Sequence, residues 1–333
     1  MSKRQSWRLV RRPDGEISDD DLSFAQEDIP PLADGDILVD VDYISVDATN
    51  RIWMSDADQY MPPVKIGDIM RAGVAGKVIA SRHPNFTAGM TVGGLGGYAS
   101  HIVASGDLFG SLPDVPGLAL PTLFGSLGGT ALTAYFGLLK IGEPKPGETL
   151  VVSAAAGAVG SMVGQIGRIK GCRVIGIAGG TEKCRYVVEE LGFDGCADYK
   201  AGDLGAQLDA LCPDGIDINF ENVGGDIMDT VMQRMTNFSR MPLCGMISMY
   251  DHLTEIQGPK AWSKILMNRI RVQGFIVSDY MAEFETASAD LVSWALAGKL
   301  KTREDVRPGL DNALHILRDL YRGGNNGKLL IKV

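Results

Sequence analysis

Histidine, paired cysteine and surplus positive charge are what this chain has least of. It carries four histidines and five cysteines in 333 residues. His83, His101, His252 and His315 form no H-E-x-x-H motif, and Cys172, Cys184, Cys196, Cys212 and Cys244 contain no C-x-x-C pair. That spacing excludes a zinc lobe built from neighbouring ligands, and the odd number of cysteines argues against a disulfide frame. The thiols fit a reducing compartment, the cytoplasm, and no metal is expected. Net charge is −9, so nucleic acid is excluded as a partner. The start, Met1 to Trp7, has no apolar run behind its charges and is not expected to act as a secretory signal. Pro116 to Leu139 is free of charge, with Gly125 and Gly129 at G-x-x-x-G spacing. Pro121 and the Gly128-Gly129 pair interrupt it, so it is read as a buried interdomain helix over Thr130 to Leu139, entered through a glycine-rich loop. No membrane span is expected. Internal repeats and low-complexity segments are absent as well.

What is present describes an ordinary globular chain. Its length suggests two domains, and 45% hydrophobic with 22% charged residues is the usual soluble balance. The first third is β-rich. Ile37 to Tyr43 partly alternates apolar and acidic residues, and Met70 to Ala80 reads as a bent strand with glycines at tight places. Gly93-Gly94-Leu95-Gly96-Gly97 has no strand-to-helix unit around it and is read as a turn rather than a phosphate loop. From Glu148 onward strands and helices alternate, as in a parallel doubly wound sheet. The expected strands are 149–154, 173–178, 195–199, 216–222, 240–248 and 271–277. Expected helices are Ala158 to Lys170, Glu182 to Leu191 with Gly192 as its stop, and Ala287 to Ala297. The tail Lys328 to Val333 reads as a strand that returns to the β-rich third. The fold class is therefore α/β: a β-rich domain over 1–124 and 296–333, and a doubly wound parallel domain over 125–295.

The stretch from Thr149 to Lys183 carries the most chemistry. Thr149-Leu150-Val151-Val152-Ser153 runs into Ala154-Ala155-Ala156-Gly157-Ala158-Val159-Gly160, then a helix, then a second strand ending at Ala178-Gly179-Gly180-Thr181-Glu182-Lys183. Gly157 and Gly160 match the second and third glycines of G-x-G-x-x-G, with Ala155 in place of the first. Gly157 lets a pyrophosphate approach the backbone, Gly160 lets helix and strand pack closely, and the helix N–H groups receive the phosphate charge. An NAD site carries Asp or Glu about 20 residues further on, against the ribose 2′-hydroxyl. The window Gly176 to Gly180 holds no acid; Thr181, Lys183 and Arg185 follow it. A hydroxyl and a cation suit a phosphate monoester, so the cofactor read here is NADPH rather than NADH. A solvated lysine at a helix start is the alternative for Lys183.

On these residues, together with Gly164-Gln165-Ile166, Glu221-Asn222-Val223-Gly224-Gly225, Cys244 to Tyr250 and Asn325-Asn326-Gly327-Lys328, the chain resembles the zinc-independent medium-chain dehydrogenases/reductases. Within them it is similar to the group of curcumin, prostaglandin (leukotriene) and plant double-bond reductases. The resemblance implies a GroES-like first domain, a Rossmann second domain and a homodimer. It implies NADPH-dependent reduction of a carbon–carbon double bond in a small α,β-unsaturated ketone or aldehyde. Position by position it implies cofactor contacts at Ala156, Gly157, Ala158, Val159, Gly160, Gly180 and Thr181, Lys183 on the 2′-phosphate, and Tyr199 at the adenosine end. Asn222 and Asn325 would lie nearer the nicotinamide, with Cys244, Tyr250, Phe275 and Val277 completing the set. The family's Asp-Pro-Tyr-Met-Arg is Asp47-Ala48-Thr49-Asn50-Arg51 here, and its Gly-Trp loop is Gly97-Tyr98-Ala99. Thr49, Arg51 and Tyr98 are thus the substrate-facing candidates, with a structural Asp47–Arg51 ion pair the favoured alternative for the second.

In the implied reaction hydride reaches the β-carbon and negative charge develops on the carbonyl oxygen. Tyr250 is the candidate donor to that oxygen or, through water, to the α-carbon; a tyrosine that merely packs over the cleft is the alternative. Tyr199 is alternatively a core aromatic, and Asn222 and Asn325 alternatively turn residues. Competing functions are a quinone reductase, a non-catalytic NADPH-binding protein and, weakest, a zinc alcohol dehydrogenase.

Overall fold

A computed structural model of the chain describes residues 3–253 and 255–333. Met1 and Ser2, on which part of the N-terminal reading rests, lie outside the described residues. Contacts divide the chain into two compact units, one of Met1–Gly125, Asp251–Thr254 and Glu304–Val333, the other of Ser126–Tyr250 and Glu255–Arg303. The sequence placed these divisions at 124/125 and 295/296.

The strands, in chain order, are β1 (Lys3–Leu9), β2 (Leu22–Asp28), β3 (Asp36–Ser45), β4 (Arg71–Ser81), β5 (Thr91–Gly97), β6 (His101–Ser105) and β7 (Phe109–Ser111). β8 (Thr149–Val152), β9 (Arg173–Ala178), β10 (Gly195–Asp198), β11 (Ile216–Phe220), β12 (Met235–Leu243) and β13 (Arg271–Gly274) follow, and β14 (Glu304–Pro308) and β15 (Lys328–Lys332) close the chain.

In the first unit β1 and β2 form a separate antiparallel pair, and the larger sheet runs β14-β15-β3-β4-β5-β7 with β6 also on β3. The tail strand does return to the β-rich third, since β15 pairs antiparallel with β3. Alternate residues of β3, including Ile37, Val39 and Val41, are buried in the unit's core with Leu9, Met54, Val74 and Leu317. The glycine-rich Gly93–Gly97 is not a turn but the body of β5. A Cβ at Gly94 would stand 2.2 Å from the Leu108 carbonyl oxygen, and one at Gly96 would stand 2.7 Å from Val74. Glycine here admits neighbouring backbone and side chains at close range, which local pattern does not reveal.

The second unit holds one six-stranded sheet ordered β10-β9-β8-β11-β12-β13, parallel throughout. Numbered from β8, this is the 3-2-1-4-5-6 order of doubly wound dinucleotide-binding sheets. The central strands read as unbroken apolar runs, Leu150-Val151-Val152 and Val174 to Ala178 among them, because helices cover both faces. Gly192 at φ +74° follows the helical segment Tyr186–Glu190 and ends it.

Three boundaries differ from expectation. The uncharged stretch is helical over Thr122–Gly142, and neither glycine pair ends it; Gly128 alone leaves helical dihedrals, at φ −80° and ψ −138°. Its 21 residues, at mean hydropathy 1.2, are long and apolar enough to cross a bilayer by length and composition, and half of that window is buried in the fold. From Ser126 onward it packs within the second unit: Phe136 stacks on Tyr280 at 4.8 Å, and Tyr135 Oη donates to Asp290. β12 begins at Met235 and stops at Leu243, because the N–H groups of Cys244 and Gly245 turn to the Glu221 carbonyl. β13 stops at Gly274, and Val277–Glu283 coils into a 3-10 turn.

Candidate functional site

The strand order of the second unit reverses between β8 and β11. Open α/β sheets bind ligands beyond the carboxyl ends of strands at such a point. Three loops meet there: the glycine turn after β8, Glu221–Gly225 after β11, and Cys244 onward after β12.

The glycine turn is built tightly. Ala154 takes φ +51°, a left-handed conformation uncommon for a residue with a side chain. Gly157 N–H donates to Ala154 O at 2.9 Å, and Ser161 N–H closes on Gly157 O at 3.0 Å. A Cβ at Gly160 would stand 2.3 Å from Ala154 O, so only glycine lets the helix Ala158–Ile169 seat on the turn. No side chain caps that helix. Its first N–H groups, on Ala158, Val159 and Gly160, belong to the helix end that suits a pyrophosphate. Gly157 and Ala156 border them.

Behind the turn sits one buried carboxylate. Glu221 is wholly inaccessible and accepts from Ser153 Oγ (2.9 Å), Asn219 Nδ2 (3.1 Å), Val223 N (2.7 Å) and Gly224 N (2.9 Å). Burial pushes its carboxyl up, against these four donors. Its own carbonyl receives Cys244 N–H at 2.9 Å and Gly245 N–H at 3.1 Å. Asn222 completes the tie: its N–H donates to Ser153 Oγ (2.7 Å) and its amide to Ser153 O (2.8 Å). One side chain and its neighbours thus fasten all three loops together.

The second edge lies past β9. Gly180, at φ +97°, donates its N–H to Asp198 Oδ1 at 2.7 Å, and Lys200 N–H reaches the same oxygen at 3.0 Å. The carboxylate that ends β10 is therefore held on backbone, while Glu182, in the first turn of the helix after β9, is exposed beside Lys183. Tyr199 is no core aromatic. It is 44% exposed, and its ring lies flat enough on Gly179 that a Cβ there would meet Tyr199 Oη at 2.7 Å. Lys200 Nζ stands 5.9 Å from the Tyr199 ring centre. Half-burial, and next the charge of Lys200, push the Lys183 ammonium down. Two ammonium groups close enough to disfavour each other, with Thr181 at the same turn, suit a dianionic phosphate monoester. The residues present fit a phosphorylated dinucleotide.

Other expected site residues occupy different surroundings. Tyr250 lies in the 3-10 turn Ile247–His252, buried, with its Oη accepting Met246 N–H at 3.0 Å. Phe275 packs edge-on to Phe220 at 6.3 Å, and Val277 opens the 3-10 turn beyond it. Thr49, Arg51, Tyr98 and Asn325 belong to the first unit. Thr49 Oγ1 bonds Tyr60 Oη at 2.6 Å. Tyr98 is 2% exposed and donates to Asn50 Oδ1 at 3.2 Å, so it fills core rather than facing a substrate. Arg51 is buried; its guanidinium donates to Pro13 O and Gly15 O and pairs with Asp251 at 3.7 Å. The expected Asp47–Arg51 pair is not formed. Asp47 instead takes the buried Lys328 ammonium at 2.6 Å, because β15 brings that lysine alongside while the Arg51 side chain is drawn to the Pro13–Gly15 carbonyls. Asn325 donates to Gly327 O at 2.8 Å across its own turn. Among the described residues no group of three or more His, Cys, Asp and Glu could hold a metal ion.

Sequence reasoning passed over Glu221, Asp198 and Lys200 as site residues. The signal for them was positional: each closes or follows a strand of the parallel sheet, where the ligand edge must be.

Comparison with known proteins agrees with this architecture. Residues 5–111 match the family model described as "N-terminal domain of oxidoreductase", and residues 158–294 match "Zinc-binding dehydrogenase". The NADPH-dependent curcumin reductase of Escherichia coli K12 is 41% identical, over 99% of this chain and 97% of its own length. Prostaglandin reductase 1 of Oryctolagus cuniculus is 36% identical, over 98% and 93%. The crystal structure of CurA from Vibrio vulnificus in complex with NADPH superposes with a TM-score of 0.93 at 42% identity, covering 99% of both chains. With a mixed β-rich first unit and a Rossmann second unit, this chain belongs to the zinc-independent medium-chain dehydrogenases/reductases, in the curcumin and prostaglandin reductase group.

Proposed function

We propose that this chain is an NADPH-dependent oxidoreductase that reduces the carbon–carbon double bond of α,β-unsaturated ketones or aldehydes. The observation that carries the reading is the Lys183–Lys200 edge, where Asp198, the carboxylate that ends β10, is held on backbone, in a chain like an NADPH-dependent curcumin reductase over its whole length. Curcumin itself is a conjugated enone, which sets the substrate class.

The cofactor, when bound, supplies the hydride. The chain's own residues bind and orient. Backbone N–H groups of Ala158, Val159 and Gly160 hold the pyrophosphate, and Lys183, Lys200 and Thr181 hold the 2′-phosphate. Tyr199 flanks the adenosine end. Asn222 and Cys244 are held beside the reacting end by Ser153 and Glu221. Tyr250 donates to the substrate carbonyl oxygen as its negative charge grows. The Met246 N–H received by its Oη polarises the O–H and sharpens it as a donor. Tyr250→Phe is expected to lower kcat about a hundredfold, with NADPH affinity unchanged. Full turnover by that variant removes Tyr250 from the chemistry.

The same reading implies a homodimer. Strand β13 ends the sheet with all four residues exposed, and Phe238, Trp262, Leu266 and Met267 stand exposed on β12 and the helix packed against it. An open sheet edge flanked by exposed apolar side chains favours a second copy. Light scattering is expected to give twice the chain mass, and a monomer mass overturns the assignment.

The test of function is NADPH consumption with enones, enals, quinones and simple ketones, NADH being run in parallel. Enone turnover that prefers NADPH and yields the saturated carbonyl is the expected result. Turnover of quinones without enones overturns the substrate class; equal use of NADH overturns the cofactor assignment.

A further inference from the structure

Two of the five cysteines, twelve residues apart in the chain, meet in the fold. Cys184 lies on the helix Thr181–Arg185 and Cys196 on β10. Cys196 Sγ–H donates to Cys184 Sγ at 2.9 Å, and both residues are partly exposed. Cys172, by contrast, donates to the Lys145 carbonyl. The same two elements carry the cofactor edge. Lys183 precedes Cys184 in the chain, and Asp198, two residues after Cys196, holds Gly180 N–H.

We infer that Cys184 and Cys196 are a dithiol that hydrogen peroxide converts to an intramolecular disulfide, and that this bond weakens binding at the 2′-phosphate edge. The second clause rests on the proposed cofactor reading; the first does not. The hydrogen bond assigns the roles. Cys184 is the acceptor, so its thiolate is the one stabilised, and it attacks the peroxide O–O bond. One oxygen stays on sulfur as a sulfenic acid and the other leaves as hydroxide, which takes up the proton released by the Cys184 thiol to become water. Cys196 then attacks that sulfur, and a second water leaves with its thiol proton and the sulfenic hydroxyl. Both sulfurs are oxidised by one electron each, and the peroxide takes up two. Burial raises both thiols, so the reaction is slow at neutral pH and runs over minutes to hours rather than seconds. Closing the sulfurs from 2.9 Å to a bonded distance of about 2.05 Å draws the Lys183 turn toward β10.

The test treats the full chain with hydrogen peroxide and follows free thiols, peptide masses and the KM for NADPH. Expected is the loss of two thiols, a Cys184–Cys196 peptide pair, and a reductant-reversible rise in KM of at least about threefold. C196S is expected to stop at a Cys184 sulfenic acid that dimedone captures, and to keep its KM for NADPH on brief oxidation. Retention of all five thiols, a disulfide mapped to other cysteines, or dimedone labelling of Cys196 in C184S as fast as that of Cys184 in C196S overturns the dithiol. A mapped disulfide with unchanged KM overturns only its effect on the cofactor edge. A reduced protein that does not bind NADPH at all overturns the cofactor reading instead and leaves the mapped disulfide standing.

Discussion

Two stretches that depend on glycine do opposite things. Gly93–Gly97 forms the strand β5 in the first unit, where missing side chains make room for the Leu108 carbonyl and for Val74. Ala154–Gly160 forms a turn in the second unit, where the missing side chain of Gly160 makes room for the Ala154 carbonyl and so seats a helix end. In the first case the close approach is consumed within the sheet. In the second it leaves backbone N–H groups at an uncapped helix end. Glycine density alone therefore says nothing about phosphate; what each absent Cβ would have struck decides it.

The comparison breaks most sharply at Gly160. Gly160→Ala places a methyl 2.3 Å from backbone oxygen, and is expected to cost roughly 2–4 kcal/mol of stability and to abolish NADPH binding by the folded fraction. Urea unfolding with a cofactor fluorescence titration reads both. Retained affinity would mean that the turn is no more functional than β5. Gly94→Ala meets backbone just as closely, at 2.2 Å from Leu108 O. It is expected to destabilise the protein by roughly 1–3 kcal/mol while the folded fraction binds NADPH normally. A loss of affinity there would erase the distinction. Lys183→Ala sharpens the comparison without touching either glycine contact. Its expected effect is a rise in the NADPH KM of about tenfold or more, with the NADH KM unchanged; equal effects on both cofactors would take the 2′-phosphate away from Lys183.

What the sequence made legible was local. The Ala154–Gly160 turn, the missing acid before Gly180 and the cation at Lys183 all sit within one βαβ unit, and periodicity found every strand of the parallel sheet. What it hid depended on register between distant strands. Asp47 and Arg51, four residues apart in the chain, read as a pair; the buried Lys328 takes Asp47 because β15 pairs with β3. Tyr98 read as a pocket residue because the resemblance sets it in the place of the family's Gly-Trp loop, but a bond to Asn50 holds it in the core. Lys200 and Glu221 were visible as letters and invisible as neighbours. Nothing near residue 183 announces residue 200, and Ser153 meets Glu221 only once β8 and β11 lie side by side.

That last pairing also sets a time order. Ser153 and Glu221 are 68 residues apart in the chain, so the glycine turn emerges during synthesis well before the carboxylate that fastens it. At the usual 5–20 residues per second the turn waits roughly 3–14 s for its partner. Every helix and strand of the opening βαβ unit can form during that interval, yet the three loops cannot be fastened together. A nascent chain stalled before Glu221 accordingly carries its glycine turn without the carboxylate that ties it to the loops after β11 and β12, and that tie dates the moment at which the sheet's two halves have met.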